Sequence, residues 1–375
     1  MNILISGAGV AGPALAYWLT RHGFTTTVVE SAPAPRAGGY AVDFRGPAHL
    51  SVLRKMGLLE EIERRQTHMG AMSYVRQDGE RIASMPADLF AGDVEILRGD
   101  LATILYEATR DRTEYVFGDS ITAVSGSLVT FDKGPPRSFD LVVGADGVHS
   151  NVRRLVFGPE EDFVTNLGLH FAIFTVDNYL GLNRTGLLYN TPGRNVGIYS
   201  TGGSDAKAVF YFPSPTRDGD PMDLVAEAFE GVGWEAPELL KRMRSADDLY
   251  YDAISQVRME RWSRGDVVLL GDAAWCPSPL SGMGTGLAVV GAYVLAGELA
   301  RGTEGALDRY EQAMRDYVRG CQKSGESAGR WMVPESRFMA WFLNQNYRLL
   351  PYLPWKGLIA KSVRKTAGAV SLKDY

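Results

Sequence analysis

The sequence predicts an α/β fold in which a nucleotide-binding parallel sheet is interrupted by an inserted, mainly antiparallel sheet. Three observations carry this. The chain opens on an apolar strand, Asn2-Ile3-Leu4-Ile5-Ser6, that runs into the Gly-x-Gly-x-x-Gly loop Gly7-Ala8-Gly9-Val10-Ala11-Gly12. Two further clusters, Gly144-Ala145-Asp146-Gly147 and Gly271-Asp272-Ala273-Ala274, each end a short apolar run. Between those two clusters, the stretch from Phe163 to Phe212 reads as consecutive strands with glycine-rich turns.

Taken in order, Asn2–Ser6 reads as a buried strand and Val10–His22 as a helix with Leu15, Trp18 and Leu19 on one face. Thr25–Val29 is a second strand, closed by Glu30, which completes the βαβ unit that the glycine loop requires. Ala48–Arg65 is predicted as one helix, because Leu50, Leu53, Leu58, Leu59 and Ile62 recur at helical spacing. Asp78-Gly79 joins Ala71–Arg76 to Arg81–Met85 as a hairpin, and Asp100–Arg110 returns to helix. Phe139–Val143 and Asp266–Leu270 are strands that lead into the second and third clusters. Leu169–Val176, Gly186–Asn190, Asn195–Thr201 and Ala208–Phe212 are the strands of the insert. The Gly282-Met283-Gly284 turn opens a helix from Thr285 to Leu299.

Past Gly329 the chain is rich in aromatics: Trp331, Phe338, Trp341, Phe342, Tyr347, Tyr352 and Trp355. A helix is predicted over Pro334–Leu350, with Pro334 in its first turn and Pro351 as its stop. The tail beyond it carries Lys356, Lys361, Arg364 and Lys365. The expected division gives residues 1–70, 96–160 and 255–328 to a discontinuous nucleotide-binding domain. Residues 71–95 and 161–254 form the second domain, and 329–375 the terminal helix and tail.

Composition narrows the class. The 375 residues are 45% hydrophobic with a net charge of -5, enough for two cored domains. No run of lysine and arginine offers a nucleic-acid face. Cys276 and Cys321 are the two cysteines, which argues against a disulfide framework and fits a reducing cytoplasm. No stretch approaches the ~18 apolar residues of a membrane span, and the first strand runs straight into the glycine loop, unlike a signal peptide. His22, His49, His68, His149 and His170 are scattered, without metal-ligand spacing.

In the first cluster, Gly7 permits the tight turn, Gly9 a close approach by a pyrophosphate, and Gly12 close helix–strand packing. The helix N-terminus at Val10 and Ala11 offers free N–H groups and partial positive charge to phosphate. Glu30 can accept hydrogen bonds from ribose hydroxyls, and an acid there disfavours a 2′-phosphate. In the third cluster, Asp272 ends a strand and the amides of Gly282-Met283-Gly284 open a helix. Arg98 has two readings: a ligand for a pyrophosphate or its neighbouring chain, or a salt bridge to Glu95 or Asp100. Asp146 also has two, a cofactor contact or a helix N-cap.

The run from Asp140 to Arg153, Asp-Leu-Val-Val-Gly-Ala-Asp-Gly-Val-His-Ser-Asn-Val-Arg, resembles the Asp-Gly fingerprint of flavoprotein aromatic hydroxylases. Gly265-Asp266-Val267-Val268-Leu269-Leu270-Gly271-Asp272-Ala273-Ala274, followed by Pro279-Leu280-Ser281-Gly282-Met283-Gly284, resembles their Gly-Asp fingerprint and Pro-x-x-Gly-x-Gly loop. The chain is thereby similar to class A flavoprotein monooxygenases. The spacing of Arg36-Ala37-Gly38-Gly39-Tyr40-Ala41-Val42-Asp43 and Ile96-Leu97-Arg98-Gly99-Asp100-Leu101 resembles the tetracycline-inactivating and polyketide-tailoring members. The resemblance implies a Rossmann-like FAD-binding domain of the aromatic hydroxylase type, an inserted β-sheet substrate domain and a terminal helix that braces the two. It assigns Asp43, Arg98 and Asp272 to FAD and Arg36 to NADPH. The residue readings above add Gly7, Gly9, Val10, Ala11, Gly12, Glu30, Asp146, Pro279, Gly282, Met283 and Gly284 to the expected cofactor-binding set.

The implied activity is a monooxygenase reaction. NAD(P)H, as NADPH or NADH, reduces FAD, and O2 then forms a flavin C4a-hydroperoxide whose distal oxygen passes to an aromatic or polyketide-like substrate. The cofactor carries this chemistry, and no protein nucleophile, base or metal set is expected. The implied protein is a cytoplasmic monomer with no nucleic-acid partner. Epoxidation, Baeyer–Villiger oxidation and a non-redox FAD-binding scaffold are the alternatives. Phe171, Phe174, Tyr189, Tyr199, Phe210 and Phe212 are available to wall a substrate cavity, with Tyr199 and Phe210 the chosen contacts. The chain departs from the family pattern at Trp275, Gly286 and Gly291, where many relatives carry histidine, asparagine and an acid. Trp275 has two readings, stacking on a flat substrate or filling the core.

Overall fold

Asn2–Ser6 is the central strand of a six-stranded sheet. The order across the sheet is Ser263–Arg264, Val267–Leu269, Leu141–Gly144, Asn2–Ser6, Thr25–Glu30 and Glu114–Phe117, all parallel except the first. The computed structural model describes residues 1–35, 38–85, 92–336, 338–339, 341–342, 345–346 and 368–375, and of 327–331 the backbone alone. Ile3, Leu4, Ile5, Val143, Val268 and Leu269 are fully buried, as strands covered on both faces require. The crossover helix Ala11–Arg21 packs against Gly284–Ala300, which is buried without a break from Gly286 to Leu299. A helix that is apolar all round belongs inside the fold, and this one does.

The helix expected over Ala48–Arg65 is two, Gly46–Met56 and Leu59–Arg64. Gly57 stands between them at φ 72°. Its N–H bonds to Arg54 O at 2.9 Å, and Leu58 N–H bonds to Leu53 O at 3.1 Å, which is a Schellman stop. The leucine spacing runs through the break because both helices turn apolar faces to the same core.

The insert is a seven-stranded sheet in the order Tyr250–Val257, Val164–Asp177, Asp205–Pro213, Arg194–Ser200, Thr185–Thr191, Met72–Val75 and Arg81–Met85. Only Thr185–Thr191 and Met72–Val75 pair in parallel, so the early hairpin extends a sheet made mostly of later strands. Strand alternation sorts the side chains. One face carries Phe174, Ile198, Phe210 and Phe212 against the helices Pro221–Ala228 and Ala236–Met243. The opposite face carries Phe171, Tyr199, Val209, Tyr211 and Tyr250, packed with Tyr40 and Leu280 from the other half of the molecule. Phe210 therefore points away from that junction, stacked on Phe174 and edge-on to Phe229, which corrects the expectation that it contacts substrate. Tyr199 is on the junction side.

Several elements lie beyond the sequence reading: the helices Pro221–Ala228, Ala236–Met243 and Ala306–Met332, and the small sheet of Ile121–Ser125, Leu128–Phe131 and Arg137–Ser138. The brace between the sheets is Ala306–Met332. Tyr310 Oη donates to Leu269 O in the parallel sheet at 3.1 Å, and Gln322 Nε2 donates to Val257 O in the antiparallel one at 2.7 Å. Of the helix expected over Pro334–Leu350, Pro334, Glu335 and Ser336 are described and are not helical, whereas the described residues 338–339, 341–342 and 345–346 are. Arg36, Tyr347, Tyr352, Trp355, Lys356, Lys361, Arg364 and Lys365 lie outside the described residues, as does the side chain of Trp331. No helix of the described residues is long and apolar enough to cross a membrane.

Replacing Gly57 with alanine puts a Cβ at a left-handed position with open space around it, so the cost is conformational alone. We expect Gly57→Ala to lower unfolding stability by about 1 kcal/mol in urea titration, and Gly57→Asn by less, with FAD content unchanged.

Candidate functional site

The strands that precede the three clusters end side by side. Ser6 is in register with Gly144 and Val29, and Gly144 with Leu269. The carboxyl edge of a parallel sheet, where successive connections leave to opposite faces, is where such folds hold ligands. The clusters touch there. A Cβ on Gly7 would stand 2.5 Å from Ala145 O, one on Gly12 2.0 Å from Gly7 O, and one on Gly271 3.0 Å from Ala11 Cβ. Only glycine allows the first two approaches. Gly9 differs: its nearest neighbour on the Cβ side is Arg98 Nη2 at 4.0 Å. Space in front of Gly9 is thus bounded by a guanidinium.

Val10 provides no side-chain cap to Ala11–Arg21, and no acid stands in the first turn of that helix. Its amides remain available for phosphate. Glu30 closes the other side of the loop, accepting from Ala8 N at 2.8 Å and Ala32 N at 2.9 Å. Arg98 forms no ion pair with Glu95 or Asp100 among the described residues; its guanidinium lies over the Tyr40 ring, 5.9 Å from the centroid. Burial pushes the Asp272 carboxyl above its usual range, and the Arg98 charge opposes that shift. The pair therefore faces one space.

The third cluster makes the opposite wall. Gly284–Ala300 also begins without a side-chain cap or first-turn acid, and Pro279 starts the short turn that leads into it. Gly282 has φ 60°, and a Cβ there would stand 3.2 Å from Arg45 Nη2. Arg45 escaped the sequence reading. Asp43 holds it, accepting from Arg45 Nη2 at 2.7 Å and from Gly92 N at 2.7 Å. Burial raises the Asp43 carboxyl, with Arg45 opposing. Met283 is fully buried, its N–H donated to Ser281 Oγ at 3.1 Å, so it shapes the turn from within. The helix cap at the second cluster is Ser150, which accepts from Arg153 N; Asp146 instead accepts from Ser150 Oγ, Val152 N and Ser6 Oγ. Asp146 therefore shares the capping through Val152 N, a first-turn amide, although the N-cap residue itself is Ser150. Fully buried Arg153 carries the tie onward, donating to Ala273 O at 3.0 Å.

The three departures are packing partners. Trp275 is 1% exposed and lies between Trp262 and Tyr310, so it fills the core and does not stack on a substrate. A Cβ at Gly291 would come within 2.9 Å of the Trp275 ring. A Cβ at Gly286 would stand 2.1 Å from the His49 ring. His49 accepts from Arg45 N at 2.9 Å through Nδ1, so Nε2 carries the proton toward Tyr317 Oη. Burial, with Arg45 beside it, holds His49 neutral, at about 4.

The family model for the FAD binding domain matches residues 1–324. A flavin-dependent monooxygenase of Legionella longbeachae is 39% identical over 343 residues, covering 87% of this chain and 88% of that one. The chain belongs to the FAD-dependent monooxygenases. The FAD-dependent monooxygenase asL4 of Sarocladium schorii is 30% identical, covering 100% of this chain and 98% of its own. The solved structure of the tetracycline destructase Tet(55) is similar at 35% identity with a TM-score of 0.87, covering 100% of this chain and 98% of that one. The monooxygenase uses FAD, NAD(P)H and O2 on a small molecule. Its residues fit FAD: the Gly9 face is open beside Arg98, two uncapped helix N-termini flank the sheet edge, and Glu30 sits where a ribose would be read.

One further constellation crosses between the halves of this monooxygenase. His149 Nε2 lies 3.1 Å from Asp252 Oδ1 and Nδ1 2.9 Å from Glu160 Oε1. Tyr250 Oη donates to Asp252 Oδ2 at 2.9 Å. The Asp252 hydrogen bond, with Glu160 adding and burial opposing, raises His149 to about 9. A folded value above the ordinary ~6.5 means the bridge contributes fully below about pH 6.5 and is lost as pH rises through the folded value. His149 is 58% exposed, so solvent screening leaves a contribution on the order of 1 kcal/mol. We expect the thermal midpoint of the wild type to fall between about pH 6.5 and 9, and His149→Gln to flatten that part of the profile. At the packing site, Gly286→Ala should cost about 1–3 kcal/mol by overpacking, and His49→Ala in the same chain should recover part of it.

Proposed function

We propose that this monooxygenase oxygenates a flat, polycyclic, hydroxylated aromatic of the tetracycline or related polyketide type. One observation carries the reading: the junction face of the inserted sheet presents Phe171, Tyr199, Tyr211 and Tyr250 toward Tyr40, Leu280 and the glycine turn. Aromatic walls with hydroxyl tips suit a fused-ring substrate bearing several polar groups. Burial raises the hydroxyls of Tyr199 and Tyr211, the latter to about 12, so both remain protonated donors. The likeness to Tet(55) supports the same substrate class.

When bound, FAD supplies the redox chemistry, passing two electrons from NAD(P)H to O2 so that one oxygen atom reaches the substrate. The protein's part is binding, orientation and charge. Gly7, Gly9, Val10, Ala11 and Gly12 take the pyrophosphate with Arg98, and Glu30 the adenosine ribose. Asp272 accepts from a ribityl hydroxyl. Pro279, Gly282 and Met283 shape the turn, with Gly282 N bonded to Pro279 O and Met283 N to Ser281 Oγ, and the uncapped amides from Gly284 onward face the N1–C2=O edge, where a helix N-terminus favours negative charge by roughly 0.3–1 kcal/mol. Asp43 acts through Arg45, and Asp146 holds the second cluster in place. Arg36 is the contact for NADPH. In this reading residues 1–70, 96–160 and 255–328 are the FAD-binding domain and the inserted sheet is the substrate domain. The enzyme works as a cytoplasmic monomer.

The test uses purified protein. FAD absorbance should co-purify with it, and tetracyclines or related aromatic polyketides should stimulate NADPH oxidation with incorporation of labelled oxygen from O2. Stimulated oxidation without labelled product, or no stimulation by any polycyclic phenol, would sink the substrate assignment. Arg98→Ala should weaken FAD binding about tenfold to hundredfold, the loss of one charge-assisted contact. Tyr199→Ala should raise KM for the polycycle by about tenfold and leave FAD affinity unchanged.

A further inference from the structure

Residues 368–375 lie on the parallel-sheet half, against the far end of Gly284–Ala300. Lys373 and Tyr375 meet one carboxylate there, and Asp374 meets Lys55. Glu298, whose side chain is fully buried, accepts from Lys373 Nζ at 2.6 Å and from Tyr375 Oη at 2.8 Å. Arg309 Nε donates to the same carboxylate at 2.8 Å. Lys55 Nζ pairs with Asp374 and donates to Tyr293 Oη at 2.9 Å. Tyr293 Oη also reads the main chain, donating to Lys373 O at 2.9 Å and accepting from Tyr375 N at 3.3 Å.

Shape agrees with chemistry. The Tyr375 ring packs edge-on against Tyr293, with centroids 5.1 Å apart at 71°. Gly297 forms the floor: a Cβ there would stand 2.1 Å from Tyr375 Cγ. A buried carboxylate is costly unless it is paired and hydrogen-bonded; Arg309 and Arg301 pair with Glu298 from its own half, and Lys373 and Tyr375 add the two hydrogen bonds on Oε1. Burial alone would raise its pKa; the hydrogen bonds from Lys373, Arg309 and Tyr375 outweigh burial and hold it at about 2. A segment resting on the surface by chance would not find a cation site, an acid site and a phenol site in the order of its own residues.

The geometry points to a peptide-recognition site made by Glu298, Gly297, Tyr293 and Lys55, whose ligand class is a cation–acid–tyrosine segment and whose resident ligand is Lys373-Asp374-Tyr375. Its position gives it consequence. The helix that carries Gly297 and Glu298 opens at Gly284, where a Cβ would stand 3.6 Å from Asp272 Oδ1. The clasp therefore holds one end of a rigid rod whose other end forms the wall of the FAD site, about 20 Å away at about 1.5 Å per residue.

The experiment uses the full-length holoenzyme. Lys373→Ala with Tyr375→Ala empties the cradle by changes outside the core, and retained flavin absorbance reports the fold. A fluorescein-labelled peptide of residues 369–375 should bind this variant saturably. It should not bind the wild type, whose own segment competes at high effective concentration. Adding Gly297→Ala should abolish binding. In the wild type, amide exchange at residues 373–375 should be slowed, and the double variant should lose that protection by about tenfold or more. Failure of the emptied cradle to bind the peptide overturns the proposal. So does wild-type exchange at 373–375 as fast as in unstructured chain, an outcome that stands even if the variant does not fold.

Discussion

The architecture depends on one close approach of backbone to backbone. Gly12 packs on Gly7 O, and Gly7 packs on Ala145 O, at distances that no side chain permits. Those contacts bring the first helix down onto the first strand and press the first cluster against the second. Because Leu141–Gly144 sits between Asn2–Ser6 and Val267–Leu269, the third cluster is then delivered to the same edge. Arg153 and Gly271 complete the contact between the second, third and first clusters. A site assembled from residues 7, 146 and 272 needs no long loops, since sheet register alone lines up the strand ends. The helix N-termini that follow those strands then point their free amides at one space, which is what a pyrophosphate and an electron-rich ring require.

The inserted sheet is positioned by a different kind of constraint. Its junction face is aromatic, and aromatic contact alone leaves rotation loosely specified. Directional bonds supply what is missing. Gln322 and Tyr310, on one helix, hold main-chain oxygens from both sheets, and His149 reaches across to Asp252. The neutral His49 belongs to the same logic. It fixes Arg45 N and Tyr317 at once, so the cation beside Gly282 and the bracing helix are set by one buried ring. The cost is steric: Gly286 has to be bare for that ring to fit.

Much of this was legible because it is local. The βαβ opening, the strand ends at Gly144 and Gly271, and the opposite faces of Ile198 and Tyr199 follow from periods of two and from glycine chemistry. What was illegible is what periodicity cannot carry. Leucine spacing ran through Gly57 although a left-handed residue stops the helix there. The Ala306–Met332 helix was available in the spacing of Tyr310, Met314, Tyr317 and Cys321, all buried, yet its neighbours are polar enough to hide it. Arg45 and the Glu298 cradle could not be found from spacing, because their partners are Asp43 and Gly282 in one case and Lys373 and Tyr375 in the other. Phe210 and Tyr199 are equally aromatic in sequence, and only the pleat of the folded strand tells the helix-packed side from the junction.

The departures from the family pattern concentrate at the third cluster, which invites a functional reading of Trp275. The packing argues otherwise. An indole with 1% exposure between Trp262 and Tyr310 cannot meet a substrate, and it needs Gly291 bare in order to sit there. The large residue at 275 and the missing side chain at 291 are therefore one exchange of volume. Gly286 and His49 are a second, and neither alters what faces the flavin site except through Arg45. On the proposed reading, selectivity comes from the junction face. There Tyr199, Tyr211 and Tyr250 bring hydroxyls that burial keeps protonated, and Tyr250 is already committed as a donor to Asp252. A committed donor can still accept. A substrate hydroxyl meeting Tyr250 would have to donate, while the protonated Tyr199 and Tyr211 suit groups that accept. On the proposed reading, the wall would favour a polycycle that carries both kinds of group at its edge over a plain hydrocarbon of the same width.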